Sequence, residues 1–308
     1  SILFVKPDIW IMVDFLRATD GRSHRYESMF HLDTLKADIV GNRKSVETRN
    51  RDTGNLGIYG VVPEGTVVVD TGFDHIEAKK RGRTISALPS ERLAQLGIDS
   101  KRVEDVIITH LHYDHAGTLK DFPNARFHLQ ETEMQFATGP WMLEDAERFA
   151  YSADHVAELI HCLFAKRVRF HQQDGEVAPG ITVHRMSGHT MGMQSVRVRT
   201  RRGWVLLASD ASHYYEHWVK RIPFSICWSQ EALLSSYRQF EKLAESEDHV
   251  IPGHDPLVRQ LYLPSLREAG DELVRLDQEP KQSLRDLSLI HISEPTRRTP
   301  ISYAVFCL

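Results

Sequence analysis

The chain has 308 residues, 41% hydrophobic and 26% charged, with a formal net charge of -4. That is ordinary globular composition, long enough for one large α/β domain with a sizeable core. The mildly acidic balance argues against a nucleic-acid partner, and the short basic clusters at 79–83 and 197–202 read as solvated turns.

In chain order, residues 43–55 are polar and loop-like, and the pattern sharpens from Gly57. Residues 66–69 form a β-branched run that ends in Asp70-Thr71-Gly72, a buried strand followed by a turn. Residues 89–96 have helical spacing, with Pro at the start and Gly97 just past the end. The apolar run 103–109 is a strand by length and branching, and it delivers the chain to His110. A strand at 126–129 precedes a short helix. Across 143–164, Phe149, Ala153, Val156, Leu159, Ile160 and Leu163 recur at helical period. Strands follow at 181–185, 194–200 and 204–208, the last two joined by a turn at 201–203. Ser229 caps a helix that carries Leu233, Leu234, Tyr237, Phe240 and Leu243 on one face. A short strand at 249–251 leads into Pro252-Gly253-His254. Strands in two groups, each interleaved with helices, predict two packed sheets with helices outside.

The C-terminus reads differently. Residues 287–297, LSLIHISEPTR, match the translation of a common transposase-type sequencing adapter, and residues 301–308, ISYAVFCL, match its continuation. The intervening residues 298–300 fit the length of an index. We therefore expect 1–286 to be one domain, with 1–56 poorly patterned, and 287–308 to be a non-native tail. Cys162, Cys227 and Cys307 have no framework spacing, so a reducing, cytoplasmic setting is the simpler expectation. No apolar run is long enough to span a membrane, and Lys6, Asp8 and Asp14 interrupt the first apolar stretch. Because the chain starts at Ser1, a missing signal segment stays open.

The chemistry concentrates in His110-Leu111-His112-Tyr113-Asp114-His115. In an extended segment alternate side chains share a face, so His110, His112 and Asp114 could point together while a turn brings His115 to an adjacent metal. Neutral imidazoles and carboxylates suit Zn²⁺. A His-rich surface loop is the bland alternative, and the position directly after a buried strand argues against it.

This motif resembles the signature of the metallo-β-lactamase superfamily. Further segments resemble that family in order: Val69-Asp70-Thr71-Gly72, Ser187-Gly188-His189-Thr190, Ala208-Ser209-Asp210 and Pro252-Gly253-His254. The resemblance implies an αββα sandwich of two mixed sheets with helices on the outer faces. It also implies two Zn²⁺ ions, one held by His110, His112 and His189, the other by Asp114, His115 and His254, with Asp210 bridging. Asp70 would support the ligands from behind. Within the superfamily, THLHYDHAG, FPNARFHLQ and ASDASHYY most resemble the N-acyl homoserine lactonase group. That implies lactone opening by a metal-bridging hydroxide, with Asp114 relaying a proton to the leaving alkoxide. In that group a tyrosine near the bridging Asp helps hold the carbonyl. Here His213 stands three past Asp210, with Tyr214 and Tyr215 following, so Tyr214 is the candidate. Phe136, Trp141, Met142, Phe149, Trp218, Phe224 and Trp228 are available as apolar walls for a small-molecule substrate. A thioesterase, a β-lactamase and a mononuclear-iron dioxygenase are the competing readings.

Overall fold

The computed structural model describes residues 66–265 and 273–287, together with short backbone strands at Ile2–Phe4, Ala37–Ile39, Val46–Thr48, Leu56–Ile58 and Val305–Cys307. The chain divides into one unit of Ser1–Val5 with Gly65–Leu308, and a second of Lys6–Glu64. In the second unit Val46–Thr48 pairs antiparallel with both Ala37–Ile39 and Leu56–Ile58. The stretch 43–55, expected as a loop, therefore contains a strand; the rest of it lies outside the described residues.

The larger unit carries two mixed sheets. The first runs Leu263–Pro264, Leu273–Arg275, Val305–Cys307, Ile2–Phe4, Val67–Val69, Asp105–Ile107, Arg126–Gln130 and Val168–His171. From Val67–Val69 to Val168–His171 the neighbours are parallel, with Val67 opposite Asp105 and Val69 opposite Ile107. The second sheet runs Val250–Pro252, Gly203–Ser209, Gln194–Thr200, Ile181–Arg185 and Gly175–Ala178. Its first pair is parallel and the others antiparallel. Of the tail expected to be non-native, Leu287 and the strand Val305–Cys307 are described, and the strand pairs with Leu273–Arg275 and Ile2–Phe4. The rest of the tail lies outside the described residues.

Alternation along single strands explains the layering. Val67, Val69 and Ile107 pack with Val183, Val196, Val198, Val205 and Leu207 between the sheets. Their neighbours Val68, Val106 and Ile108 face the opposite way, into a core shared with Leu159 and Cys162 of the helix Ala153–Phe164. Leu206 and Ala208 pack on the helix Gln230–Leu243 through Leu233, Tyr237 and Phe240. Each strand feeds two apolar layers because its side chains alternate, so both sheet faces are covered and helices close the outside. The expected αββα sandwich is the architecture found.

Most expected elements are present, with one instructive difference. The helical period over 143–164 yields a continuous helix only at Ala153–Phe164. Upstream lie a 3-10 turn, Pro140–Leu143, and the helical turn Asp145–Arg148. The break has a tertiary cause. Tyr151 forms a bridge with His112, and the Tyr113 N–H donates to the Ala150 carbonyl at 2.8 Å. Backbone committed to covering the His110–His115 loop cannot also close helical hydrogen bonds.

Candidate metal centre

The parallel strands of both sheets end at one edge, and the polar residues follow directly. Asp70 follows Val67–Val69, and Thr109 and His110 follow Asp105–Ile107. Asp210 follows Gly203–Ser209, and His254 follows Val250–Pro252. Two buried glutamines stitch the sheets there. Gln194 Nε2 donates to the carbonyls of Ile108 and His128, its N–H donates to Thr109, and Gln130 Nε2 donates to its Oε1. Paying for a buried amide with a full set of partners fixes the relative position of the two strand ends.

Every residue expected to hold metal meets the others here. The groups with mutually close donor atoms are His110, His112 and His189; His110, His115 and Asp210; Asp114, His115 and His254; and His189, Asp210 and His213. Asp114 does not join His110 and His112, as simple alternation suggested. The His115 N–H donates to the His112 carbonyl at 3.1 Å, and the resulting turn brings Asp114 to His115 and His254. Asp210 Oδ2 lies 3.4 Å from His189 Nε2 and 3.9 Å from His110 Nε2, its Oδ1 lies 3.4 Å from His115 Nε2, and His254 Nε2 lies 3.0 Å from each oxygen. The carboxylate thus stands between the two histidine groups.

The approach is possible only with small backbone. A Cβ on Gly253 would sit 2.6 Å from Asp210 Oδ1 and 2.8 Å from the Ser209 carbonyl carbon. Ser209 itself has φ +48°, which turns the chain so that Asp210 faces inward.

The far nitrogens of three imidazoles are fixed from behind. Asp70 Oδ2 accepts from His115 Nδ1 at 2.8 Å, and the same carboxylate accepts from the Thr109 N–H at 2.7 Å and the Thr109 hydroxyl at 2.8 Å. His189 Nδ1 donates to the Ile226 carbonyl at 2.7 Å, and Thr109 Oγ1 lies 3.1 Å from His110 Nδ1. These contacts leave the Nε2 atoms aimed inward. His110 Nε2 is buried and has no hydrogen-bond partner among the described residues, and His115 Nε2 and Asp210 Oδ1 have only the ionic contacts within the cluster, none with hydrogen-bond geometry. Buried polar atoms are normally satisfied, and convergent orphans of imidazole and carboxylate type are what a divalent cation requires. The donor set fits two such ions.

The electrostatics differ between the two clusters. Burial, then His115 and His112, hold His110 well below the usual imidazole range, and burial brings His189 down to about 3, so both are neutral ligands at pH 7. Burial alone would lower His115 as well, but Asp210, Asp70 and Asp114 outweigh it and raise this group well above its usual value. Burial would raise Asp210; His254, His115 and His213 outweigh it and hold that carboxyl well below its usual range.

The tyrosine expectation meets a different arrangement. Tyr214 is 43% exposed, and its ring lies 5.1 Å from His217. The side chain facing the cluster is His213, with Nε2 3.1 Å from Asp210 Oδ2 and its ring stacked on Phe224 at 3.9 Å. Of the expected apolar walls, Phe136 and Trp218 belong to the cores. Met142 and Trp228 pack partly buried against the first core. Trp141 and Phe149 are exposed, and Phe224 also lies 5.6 Å from the His189 ring. Thr109, Gln194 and Glu133 were not singled out as site residues by sequence, and His213 was noted only as the residue standing three past Asp210. Glu133 left one signal: with Phe136 and Ala137 it stands at i, i+3, i+4 on the buried face of Glu131–Thr138.

Comparison with known proteins gives a consistent picture. The profile described as the metallo-beta-lactamase superfamily matches residues 50–272. An N-acyl homoserine lactonase of a Bacillus species is 28% identical over 207 residues, covering 62% of this chain and 77% of that protein. A probable metallo-hydrolase of Mycobacterium tuberculosis is 24% identical over 253 residues, covering 68% of this chain and 77% of the relative. A solved N-acyl homoserine lactone hydrolase, with the product N-hexanoyl-L-homoserine at its catalytic metal center, superposes with a TM-score of 0.54. It is 26% identical and covers 68% of this chain and 86% of its own.

Proposed function

The chain belongs to the metallo-beta-lactamase superfamily, and from that membership we propose a two-zinc hydrolase that opens the ring of N-acyl homoserine lactones. The observation that carries the hydrolase reading is the convergence of His110, His112, Asp114, His115, His189, Asp210 and His254, in which the buried His110 Nε2 has no hydrogen-bond partner among the described residues. The lactone assignment is supported by the lactonase relatives and by the product-bound lactone hydrolase of similar fold.

Two divalent cations at this site would supply hydroxide at neutral pH and a Lewis acid for the lactone carbonyl. His110, His112 and His189 would hold one and Asp114, His115 and His254 the other, with Asp210 placed to serve both. Asp70, Thr109 and the Ile226 carbonyl keep the imidazole tautomers fixed. Ring opening would join a hydroxide oxygen to the carbonyl carbon and break the ring C–O bond, so the leaving alkoxide would need a proton. Asp114, whose side chain is 12% exposed, would take up on a carboxylate oxygen the proton that water loses in becoming hydroxide and deliver it to the alkoxide. Phe224, Trp141 and Phe149 offer apolar surface for an acyl chain.

The test is a hydrolysis panel on zinc-loaded protein, followed with a pH indicator because ring opening releases an acid. Homoserine lactones of several acyl lengths are expected to open. Rapid cleavage of a glutathione thioester or a β-lactam, with no lactone opened at any chain length, overturns the lactone assignment and leaves the hydrolase reading.

A further inference from the structure

We propose that Glu133 is a positioning residue that clamps the segment of His110 and His112 to the segment of His189, preforming the first metal cluster before metal arrives. The inference rests on the two-metal reading above.

Glu133 is fully buried at 0% exposure. Its Oε1 accepts from the Leu111 N–H at 2.9 Å and the Tyr151 hydroxyl at 3.0 Å. Its Oε2 accepts from the Thr190 hydroxyl at 2.5 Å and the Gly192 N–H at 3.1 Å. Leu111 lies between His110 and His112, Thr190 directly follows His189, and Tyr151 carries the backbone bridge to His112. One carboxylate therefore ties together three segments that meet at the cluster. The loop is shaped for this approach, since a Cβ on Gly192 would fall 2.0 Å from the Glu133 nitrogen.

The clamp lies directly behind the first cluster. Donation of His189 Nδ1 to Ile226 leaves His189 Nε2 as a lone-pair acceptor, and it faces His112 Nδ1 at 3.0 Å. In the metal-free site His112 Nδ1 can donate to that lone pair, so the two nitrogens already sit close together where a metal would be held. Burying a carboxylate with no cationic partner is costly, and an apolar side chain would fill the same space at lower cost. The four donors around Glu133 show what the charge accomplishes instead: it holds the two ligand segments at fixed separation from behind.

Glu133→Gln keeps the shape and removes one acceptor oxygen. In either amide orientation the new NH₂ confronts one backbone N–H, which cannot rotate away, so half of the clamp is lost. Metal-free protein is titrated with Co²⁺ and followed by calorimetry and by the visible cobalt spectrum. Wild type is expected to bind two equivalents. Glu133→Gln is expected to lose about 10–100-fold in affinity at the first cluster, the range for loss of an outer partner, and to keep its affinity at the Asp114, His115 and His254 cluster. Asp277→Asn is the control. That buried carboxylate is held by Arg201 and Arg275, contacts no metal residue, and reports what lost fold stability alone does. Thr190→Val removes one donor and no charge; it should give a smaller loss of the same kind and keeps the test available if Glu133→Gln does not fold. Wild-type affinity and an unchanged cobalt spectrum in Glu133→Gln, or an equal loss at both clusters matched by Asp277→Asn, overturn the inference. Absence of any binding by wild type overturns the two-metal reading and this inference together.

Discussion

Replacing Asp70 by Asn should disable the second metal while leaving the fold standing. Asp70 is 6% exposed and accepts three hydrogen bonds, from the Thr109 N–H, the Thr109 hydroxyl and His115 Nδ1. Its φ is +58°, a conformation Asn tolerates, so the substitution adds no backbone strain. The Asn oxygen must stay on the Thr109 N–H, which cannot rotate to another acceptor, and the NH₂ then faces His115 Nδ1. An imidazole facing a donor presents its lone pair there and carries its proton on Nε2, where it cannot bind metal. Loss of one such outer carboxylate costs about 10–100-fold in metal affinity. Loss of one hydrogen bond to a charged group costs about 1.5–3 kcal/mol of fold stability, a drop of several degrees in Tm for a chain of this size. Competition against a chromophoric chelator reads the affinity of each equivalent, and a thermal melt of metal-free protein reads the fold. Asp70→Asn binding both equivalents with wild-type affinity would refute the tautomer argument, whatever its Tm.

Asp210→Ala should lower metal content at both clusters and reduce turnover by orders of magnitude; full activity with two metals bound would refute the proposed site. His213→Phe, which keeps the stack on Phe224 but removes the nitrogen facing Asp210, should reduce turnover more than Tyr214→Phe does, and the reverse order would restore the tyrosine expectation. Resequencing the source DNA should give a different continuation after Asp286; recovery of the same codons by an independent library method refutes the read-through expectation. Glu77 gives an acid-stability prediction. Burial opposes ionisation, but Lys80, Arg81 and Ser152 outweigh it and hold this carboxyl at about 2 against its ordinary 4.5. A depressed folded value means the contribution is complete above the ordinary value and is lost as pH falls towards about 2. The Tm difference between wild type and Glu77→Gln should therefore shrink through that window, and a constant difference would refute the assignment.

The sequence by itself determined what is local. The apolar runs at 66–69 and 103–109 are properties of adjacent residues, so buried strands are legible in the residue order, and strands in two groups interleaved with helices make two sheets with outer helices legible as well. The same holds for His110 and His112, which share a face because they are two apart. The ordered segments carrying His189, Asp210 and His254 are legible through family resemblance, and the fold brings them together. What only the tertiary structure decided depends on groups distant along the chain. The helix expected over 143–164 breaks before Ala153 because Tyr151 and Ala150 give their backbone to His112 and Tyr113, a demand that helical period cannot register. Asp114 leaves the His110 face because a turn intervenes, and His213 rather than Tyr214 faces Asp210 because Ser209, with φ +48°, redirects the chain just before it. Glu133 is visible as a polar residue on an apolar helix face, but its four donors come from positions 111, 151, 190 and 192. Which buried carboxylate finds partners is fixed by packing across segments, and no spacing rule within one segment contains that information.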